Sequence, residues 1–241
     1  METDSIFKIR FEKSTDFTFD EKVTKVFDDM VVRSVPFYLE VQRMMAELTH
    51  DYANPGTNVY DLGCSTGTTF ISLDRVLDRS IGFTGIDNSP EMLVQCDKNL
   101  KAAGVTRQLK LIASDLNSSV EIKNASVVIL SLTLQFVRPP KRTKLLQRIY
   151  DQLNPGGCVI LFEKVLGEGT VFNRQFIKYY YDYKRRNNYD DMEIAQKREA
   201  LENVLIPYKL SENFEILKEI GFTSVETFFK WYNFSGIVAL K

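Results

Sequence analysis

The sequence predicts an α/β fold: a mostly parallel, seven-stranded sheet covered on both faces by helices and finished by a C-terminal antiparallel hairpin. Three observations predict it. Short apolar runs alternate with helical segments from Asn58 to Phe162, the pattern of parallel strands joined by helical crossovers. Three of those runs end in or run into a carboxylate, at Asp61, Asp87 and Asp115. The tail then changes period. A helical pattern over Glu212–Ile220, stopped by Gly221, precedes two short apolar runs, Ser224–Phe229 and Ile237–Leu240, joined by a turn.

Taken in order, residues 1–20 mix charges and aromatics and are expected to be partly disordered. From Asp20 to Asp51, Val23, Val26, Phe27, Met30 and Val31 recur at helical steps, and Pro36 interrupts the pattern before Phe37–Leu48 resumes it. This gives a helical cap over 20–51. Asn58–Leu62 reads as a strand, Thr68–Leu77 as a helix, Gly82–Ile86 as a strand and Pro90–Ala103 as a helix. Leu109–Ala113 and Ala125–Leu130 are strands, Pro140–Leu153 a helix and Gly157–Phe162 a strand. Between them, Leu153-Asn154-Pro155-Gly156-Gly157 should end the helix and turn the chain. The aromatic, charged segment 168–205 reads as a long helical lid. Repeats and Pro-rich linkers are absent, so the expectation is a single domain over 1–241.

Composition narrows the function classes. With 44% hydrophobic residues in 241 the chain can bury a sizeable core. The net charge of −1 sets up no global attraction to nucleic acid or anionic lipid, so neither direct nucleic-acid binding nor membrane association is expected. Cys64, Cys96 and Cys158 are odd in number and far apart, which suggests reduced thiols and a cytoplasmic setting. No apolar run approaches the roughly 20 residues of a membrane span. His50 is the sole histidine, which leaves little room for a His-based metal site or a Ser-His-Asp triad, and no metal is expected.

The motif that carries most chemistry is Asp61-Leu62-Gly63-Cys64-Ser65-Thr66-Gly67. A strand that ends in an acid and a glycine turn delivers a nucleotide-like ligand to a helix N-terminus. Gly63 lets the backbone approach the ligand, and Asp61 is placed for a water or the ligand's ammonium. Asp87 can accept two ribose hydroxyls, Asn88 can flank an adenine, Asp115 can accept its amino group and Leu116 can pack on its ring. Singly these acids are ordinary loop or cap residues, but their shared register points to an adenosine-containing ligand. An acceptor site is not evident. No Asn/Asp-Pro-Pro-aromatic run follows the fourth strand, where the chain reads Ser131-Leu132-Thr133-Leu134-Gln135-Phe136, and no Pro-Cys nucleophile is present.

From Asn58 onward the chain resembles the class I S-adenosyl-L-methionine-dependent methyltransferases, which have a Rossmann-like fold. The resemblance narrows with Phe19-Asp20-Glu21-Lys22-Val23, Arg33-Ser34-Val35-Pro36, Ile86-Asp87-Asn88-Ser89-Pro90, Thr133-Leu134-Gln135-Phe136, Ile194-Ala195-Gln196-Lys197-Arg198 and Leu201-Glu202-Asn203-Val204. Together with the glycine motif these are similar, over nearly the whole chain, to the carboxy-S-adenosyl-L-methionine synthase family. Membership implies conversion of S-adenosyl-L-methionine and prephenate to carboxy-S-adenosyl-L-methionine and phenylpyruvate. It also implies that a separate enzyme uses the product for 5-oxyacetyl modification of the tRNA wobble uridine, and that the protein is a homodimer, for which the aromatic stretch 172–189 offers surface. The resemblance further implies that Arg198 is the catalytic cation for the new carboxylate and that Tyr38, Gly63, Cys64 and Ser65 contact the methionine part. Asp87, Asn88, Asp115 and Leu116 would surround adenosine, and Ser131 stands where the family commonly has asparagine. Two other readings stay open: a true methyltransferase acting on a small acid or tRNA, and a non-catalytic adenosyl-ligand-binding subunit. For Arg198 the structural alternative is a surface pair with Glu202. The cavity is otherwise expected to be poor in cations.

Overall fold

The computed structural model describes residues 3–8, 16–118 and 120–241. Helix α1 (Glu21–Ser34) starts where the Asp20 carboxylate accepts from the Val23 N–H at 3.0 Å, a side-chain N-cap. It ends before Pro36, and Phe37, in a left-handed conformation with φ of 56°, turns the chain into α2 (Tyr38–Tyr52). The core follows as β1 (Asn58–Leu62), α3 (Thr68–Asp74), β2 (Gly82–Asp87), α4 (Pro90–Ala102), β3 (Leu109–Ala113), β4 (Ala125–Ser131), a 3₁₀ turn at Leu134–Phe136, α5 (Pro139–Gln152) and β5 (Leu153–Lys164). The rest is α6 (Thr170–Arg186), α7 (Asp191–Leu201), α8 (Leu210–Ile220), β6 (Ser224–Trp231) and β7 (Phe234–Leu240).

The described residues form a seven-stranded sheet in the order β3-β2-β1-β4-β5-β7-β6. The five strands from β1 to β5 are mutually parallel, and β7 joins β5 antiparallel with β6 outside it. Strand order reverses between β1 and β4, the topological switch point at which open α/β sheets bind ligands beyond their carboxyl ends. The central strands read as continuous apolar runs because both faces are covered. Along β4, Val127 and Ile129 join one core with Phe70, Phe83 and Phe162, while Val128 and Leu130 join the other with Leu146, Ile149 and Leu217.

Several boundaries differ from expectation. Helix α3 stops at Asp74 rather than Leu77, where the Val76 and Leu77 N–H groups both bond the Leu73 carbonyl. The Leu153–Gly157 segment closes α5 at its Leu153 cap as expected, but it already belongs to β5, which starts at Leu153 rather than Gly157. Leu153 pairs with Ala125, the chain bulges through Gly156 (φ 73°), and pairing resumes at Cys158 opposite Val127. The lid divides into α6 and α7 at Asn188 (φ 64°), and an Asp190–Glu193 capping box restarts the helix.

The expectation for residues 1–20 falls partly outside the described residues, at 1, 2 and 9–15. In the described part Asp4 is only 1% exposed. Its carboxylate accepts from the Tyr189 hydroxyl at 2.8 Å, and the Arg33 guanidinium bonds the carbonyls of Asp4, Asn187 and Asn188 at 3.0 Å each. This polar network fixes the α6–α7 turn to α1. On the other side of the lid, the Trp231 ring lies 5.4 Å from that of Tyr183 on α6 and 6.3 Å from that of Phe234. No helix among the described residues is long and apolar enough to cross a membrane.

Candidate active site

The turn after β1 is built before any ligand arrives. The N–H groups of Gly63 and Cys64 bond the Ile86 carbonyl at 2.7 and 3.2 Å, which ties the turn to the neighbouring strand. Gly63 has φ of 84°, and a Cβ there would meet Thr133 Oγ1 at 2.3 Å, so no other side chain fits. Ser65 also has a positive φ, 46°, a left-handed conformation that favours glycine. What holds it is Asp87: Oδ2 accepts from the Ser65 N–H at 3.0 Å and Oδ1 from the Ser89 N–H at 2.9 Å. Burial pushes the Asp87 carboxyl up, and the N–H groups of Ser89, Ser65 and Asn88 pull it back.

Asp115, beyond β3, spends Oδ1 on the Asn117 backbone and side-chain N–H groups at 2.9 and 2.8 Å. This Asx turn leaves Oδ2 without a hydrogen-bond donor among the described residues. Thr66 donates to Asp28 Oδ1 at 2.5 Å, which docks the helical cap on the glycine turn.

These groups line one cavity of about 1030 Å³ at the carboxyl ends of the strands. Its wall includes Gly63, Cys64 and Ser65 from the turn, Asp87 and Asn88 at the end of β2 and just beyond it, and Asp115 and Leu116 after β3. Tyr38 of the cap, Ser131 at the end of β4 and Arg198 of the lid share it. Its volume lies at the upper end of the roughly 300–1,000 Å³ of small-molecule sites. The glycine cradle and the acceptors on Asp87 and Asp115 fit an adenosyl ligand.

Asp61 is the exception among the expected site residues. It is 1% exposed and off the cavity wall, to which Thr69 of the following helix contributes. Its Oδ1 has no hydrogen-bond partner among the described residues. Burial pushes its carboxyl up to about 7, against the pull of the Thr69 hydroxyl.

Arg198 is exposed at the lid edge. The Tyr181 hydroxyl beside it raises its pKa, and Glu202 is a weaker electrostatic neighbour. No Arg198–Glu202 ion pair forms among the described residues, so the guanidinium is not consumed by the surface pair that helix spacing allows.

Two features escape the sequence reading. The first is Glu163, 2% exposed, whose oxygens accept from the Thr133, Leu134 and Gln135 N–H groups at 3.1, 2.8 and 3.0 Å. It shapes the 3₁₀ turn that packs Thr133 against Gly63. Burial pushes its carboxyl up to about 8 against those three donors and Arg142. Like Asp61 and Asp87 it is an acid at a strand's carboxyl end, so that signal was available.

The second is a correction. The cavity is not poor in cations, because Lys164, Lys184 and Lys197 also line it. Burial pushes Lys164 and Lys197 down to about 8, and Lys184 lies well below the usual lysine range, with its two lysine neighbours adding to the effect.

A family model described as a methyltransferase domain matches residues 59–157. A carboxy-S-adenosyl-L-methionine synthase of Methylococcus capsulatus is 53% identical over 242 residues, covering 100% of both chains. The chain belongs to the carboxy-S-adenosyl-L-methionine synthase family. A second synthase of this family, from Desulfotalea psychrophila, is 44% identical over 94% of this chain and 92% of its own. As a member of this family the chain is an enzyme of the S-adenosyl-L-methionine methyltransferase superfamily.

Solved structures agree on the fold. An O-methyltransferase family protein of Burkholderia thailandensis superposes with a TM-score of 0.68 at 14% identity, over 92% of this chain and 60% of that one. Human N-acetylserotonin methyltransferase, solved with S-adenosyl-L-methionine, gives 0.59 at 17% identity, over 92% and 55%.

Proposed function

We propose that this synthase joins S-adenosyl-L-methionine and prephenate to give carboxy-S-adenosyl-L-methionine, phenylpyruvate and water. Prephenate would lose carbon dioxide and hydroxide as its ring aromatises. One C–H bond of the sulfonium methyl breaks, its proton leaves with that hydroxide as water, and a C–C bond forms to the carbon dioxide. No nucleophile from the chain is needed. The chain's part is to hold two substrates in contact and exclude water, which suits a cavity lined by two helical segments and large for a single ligand.

The observation that carries this reading is Arg198 on the wall that also bears Ser65, Asp87 and Asp115. A transferable methyl group offers a guanidinium nothing to bind, whereas a carboxymethyl group offers a carboxylate for two parallel, charge-assisted bonds. On this reading Asp87 takes the ribose hydroxyls, Asn88, Asp115 and Leu116 surround the adenine, and Tyr38, Gly63, Cys64 and Ser65 meet the methionine part. Ser131 meets the ligand where a longer asparagine side chain is common. The product, made in the cytoplasm, would supply the 5-oxyacetyl group of the tRNA wobble uridine through a separate enzyme.

A mass spectrum of the ligand released from purified protein tests the assignment. The expected species is heavier than S-adenosyl-L-methionine by one carbon dioxide, and it should form on incubation with prephenate. Unmodified S-adenosyl-L-methionine with no prephenate turnover would leave a methyltransferase or a binding subunit.

A homodimer belongs to the same reading. Val171 and Phe172 are 76% and 59% exposed at the start of α6. Phe176 lies tilted beside Phe172, with ring centroids 6.1 Å apart, and approaches Tyr232 at 5.3 Å. A surface this apolar is suited to a second copy, and light scattering showing only a 27.8 kDa species would refute it.

A further inference from the structure

Lys164 and Lys184 are set against one aromatic ring. Their ammonium nitrogens lie 4.9 and 4.8 Å from the centroid of Tyr180, which is itself 7% exposed. Lys184 is 5% exposed and Lys164 half-buried, and both open on the cavity. Neither ammonium has a carboxylate in ion-pair contact or a hydrogen-bond acceptor among the described residues.

Their neighbour Lys197 differs. It donates to Ser34 Oγ at 3.2 Å and lies 3.8 Å from Asp4 Oδ2. Asp4 is already engaged by the Ile6 N–H and the Tyr189 hydroxyl. The carboxylates thus serve Lys197, with Asp4 in contact and Glu193 and Asp29 further off, whereas Lys184 feels Asp4 only at longer range and Lys164 none. Lysine is almost never buried without a partner, and a ring face compensates a buried ammonium only in part. The arrangement is short of an anion.

Topology says which anion. Lys164 ends β5, three strands from Asp87 at the end of β2. Strands spaced about 4.8 Å apart put these ends roughly 14 Å from each other. The cationic cluster is thus on the far side of the cavity from Asp87 and, one strand further out, Asp115, the carboxylates that fit adenosine.

We infer that Lys164 and Lys184, set against the Tyr180 ring, form the subsite for a carboxylate of the co-substrate, and specifically for the carboxylate that prephenate retains. This deepens the proposed synthase function and rests on it. Chemistry selects the retained 2-oxo carboxylate over the one that is lost. Ion pairing stabilises a carboxylate against departure as carbon dioxide, so the departing group belongs away from the lysines and the spectator group belongs on them. The depressed lysine pKa values accord with this, since a bound carboxylate would restore the protons that burial disfavours.

The test compares Lys164→Met and Lys184→Met with wild type in three measurements. The first is calorimetric binding of phenylpyruvate, which carries only the retained carboxylate, to protein saturated with S-adenosyl-homocysteine. The second is kcat/KM for prephenate, and the third is Tm.

Each substitution should weaken phenylpyruvate and lower kcat/KM by tenfold or more, and leave S-adenosyl-homocysteine affinity within about twofold. Each should also raise Tm by roughly 2–4 °C, because a buried ammonium without a partner destabilises the ligand-free fold. A purely structural lysine would lower Tm when removed.

Unchanged phenylpyruvate binding in both variants of an active enzyme overturns the subsite. So does a matching loss of S-adenosyl-homocysteine, which would assign the lysines to the methionine carboxylate. Wild type that neither turns over prephenate nor binds phenylpyruvate overturns the proposed function itself.

Discussion

Asp87 and Lys164 end parallel strands of the same sheet, yet the molecule treats their charges in opposite ways. Both Asp87 oxygens already hold backbone N–H groups, those of Ser65 and Ser89, and its burial is compensated by the turn it organises. Lys164 and Lys184 lean on the Tyr180 ring and have no counter-charge in contact. The acidic half is complete without a ligand and keeps spare lone pairs for one. The cationic half is complete only with an anion present. Preorganisation on one side gives affinity without rearrangement. An electrostatic deficit on the other makes the ligand-free fold less stable and favours a charged occupant.

The sharpest way to break this contrast is on the acidic side. Asp87→Ala removes the anchor of the strained Ser65 and the acceptor proposed for two ribose hydroxyls. Hydrogen bonds to charged groups contribute roughly 1.5–3 kcal/mol each, so S-adenosyl-homocysteine affinity should fall at least tenfold by calorimetry. An unchanged dissociation constant removes Asp87 from the site.

Arg198→Ala should act more selectively. Preference for carboxy-S-adenosyl-L-methionine over S-adenosyl-L-methionine should fall by roughly 1.5–3 kcal/mol, with S-adenosyl-L-methionine itself bound almost normally. Competitive titration of the two ligands reads that difference, and equal losses for both would remove Arg198 from carboxylate recognition.

The smallest effect is in stability against pH. Asp61 and Glu163 are pushed up to about 7 and about 8, so the fold keeps protons that the unfolded chain releases near pH 4, and stability falls as pH rises from about 4 to 8. Lys164 and Lys197 are pushed down to about 8, so there the unfolded chain holds the extra protons and stability is regained between about pH 8 and 10. Urea denaturation of ligand-free protein across this range should show a minimum at about pH 8. The Cys64 thiol, raised by its hydrogen bond with Cys96 and by burial, and the Cys158 thiol, raised by burial, oppose that rise, so the Lys164→Met protein is the control. It should regain less stability above about pH 8 than wild type, and an equal curve would mean that Lys164 is not a source of the rise and the contrast is false.

The acidic half was legible because its residues obey a local rule: an acid ends a strand or follows it within two residues, and the strands recur in register. Glu163 obeys the same rule, but its neighbour Lys164 makes the pair look like an ordinary solvated strand end. Lys184 and Lys197 could not be read. They sit in helices crowded with Lys178, Arg185, Arg186 and Glu199, where periodicity does not separate an inward ammonium from a solvated one. Their burial is decided by docking the lid on α1 through Arg33, Asp4 and Tyr189, contacts between residues as many as 185 positions apart. The β5 start was misread for a related reason. Pro155 and two glycines signal a turn, and a bulge answers the same backbone demand while strand pairing continues around it.

The packing of Trp231 against Tyr183 carries an optical consequence. It is the sole tryptophan of the chain, and it sits on the outermost strand with its ring edge-on to a residue of α6. Light absorbed selectively by that indole is emitted from the seam between the lid and the sheet. The protein therefore carries an intrinsic fluorophore at the contact between α6 and the sheet, and its spectrum would report any change in that contact without dye or label.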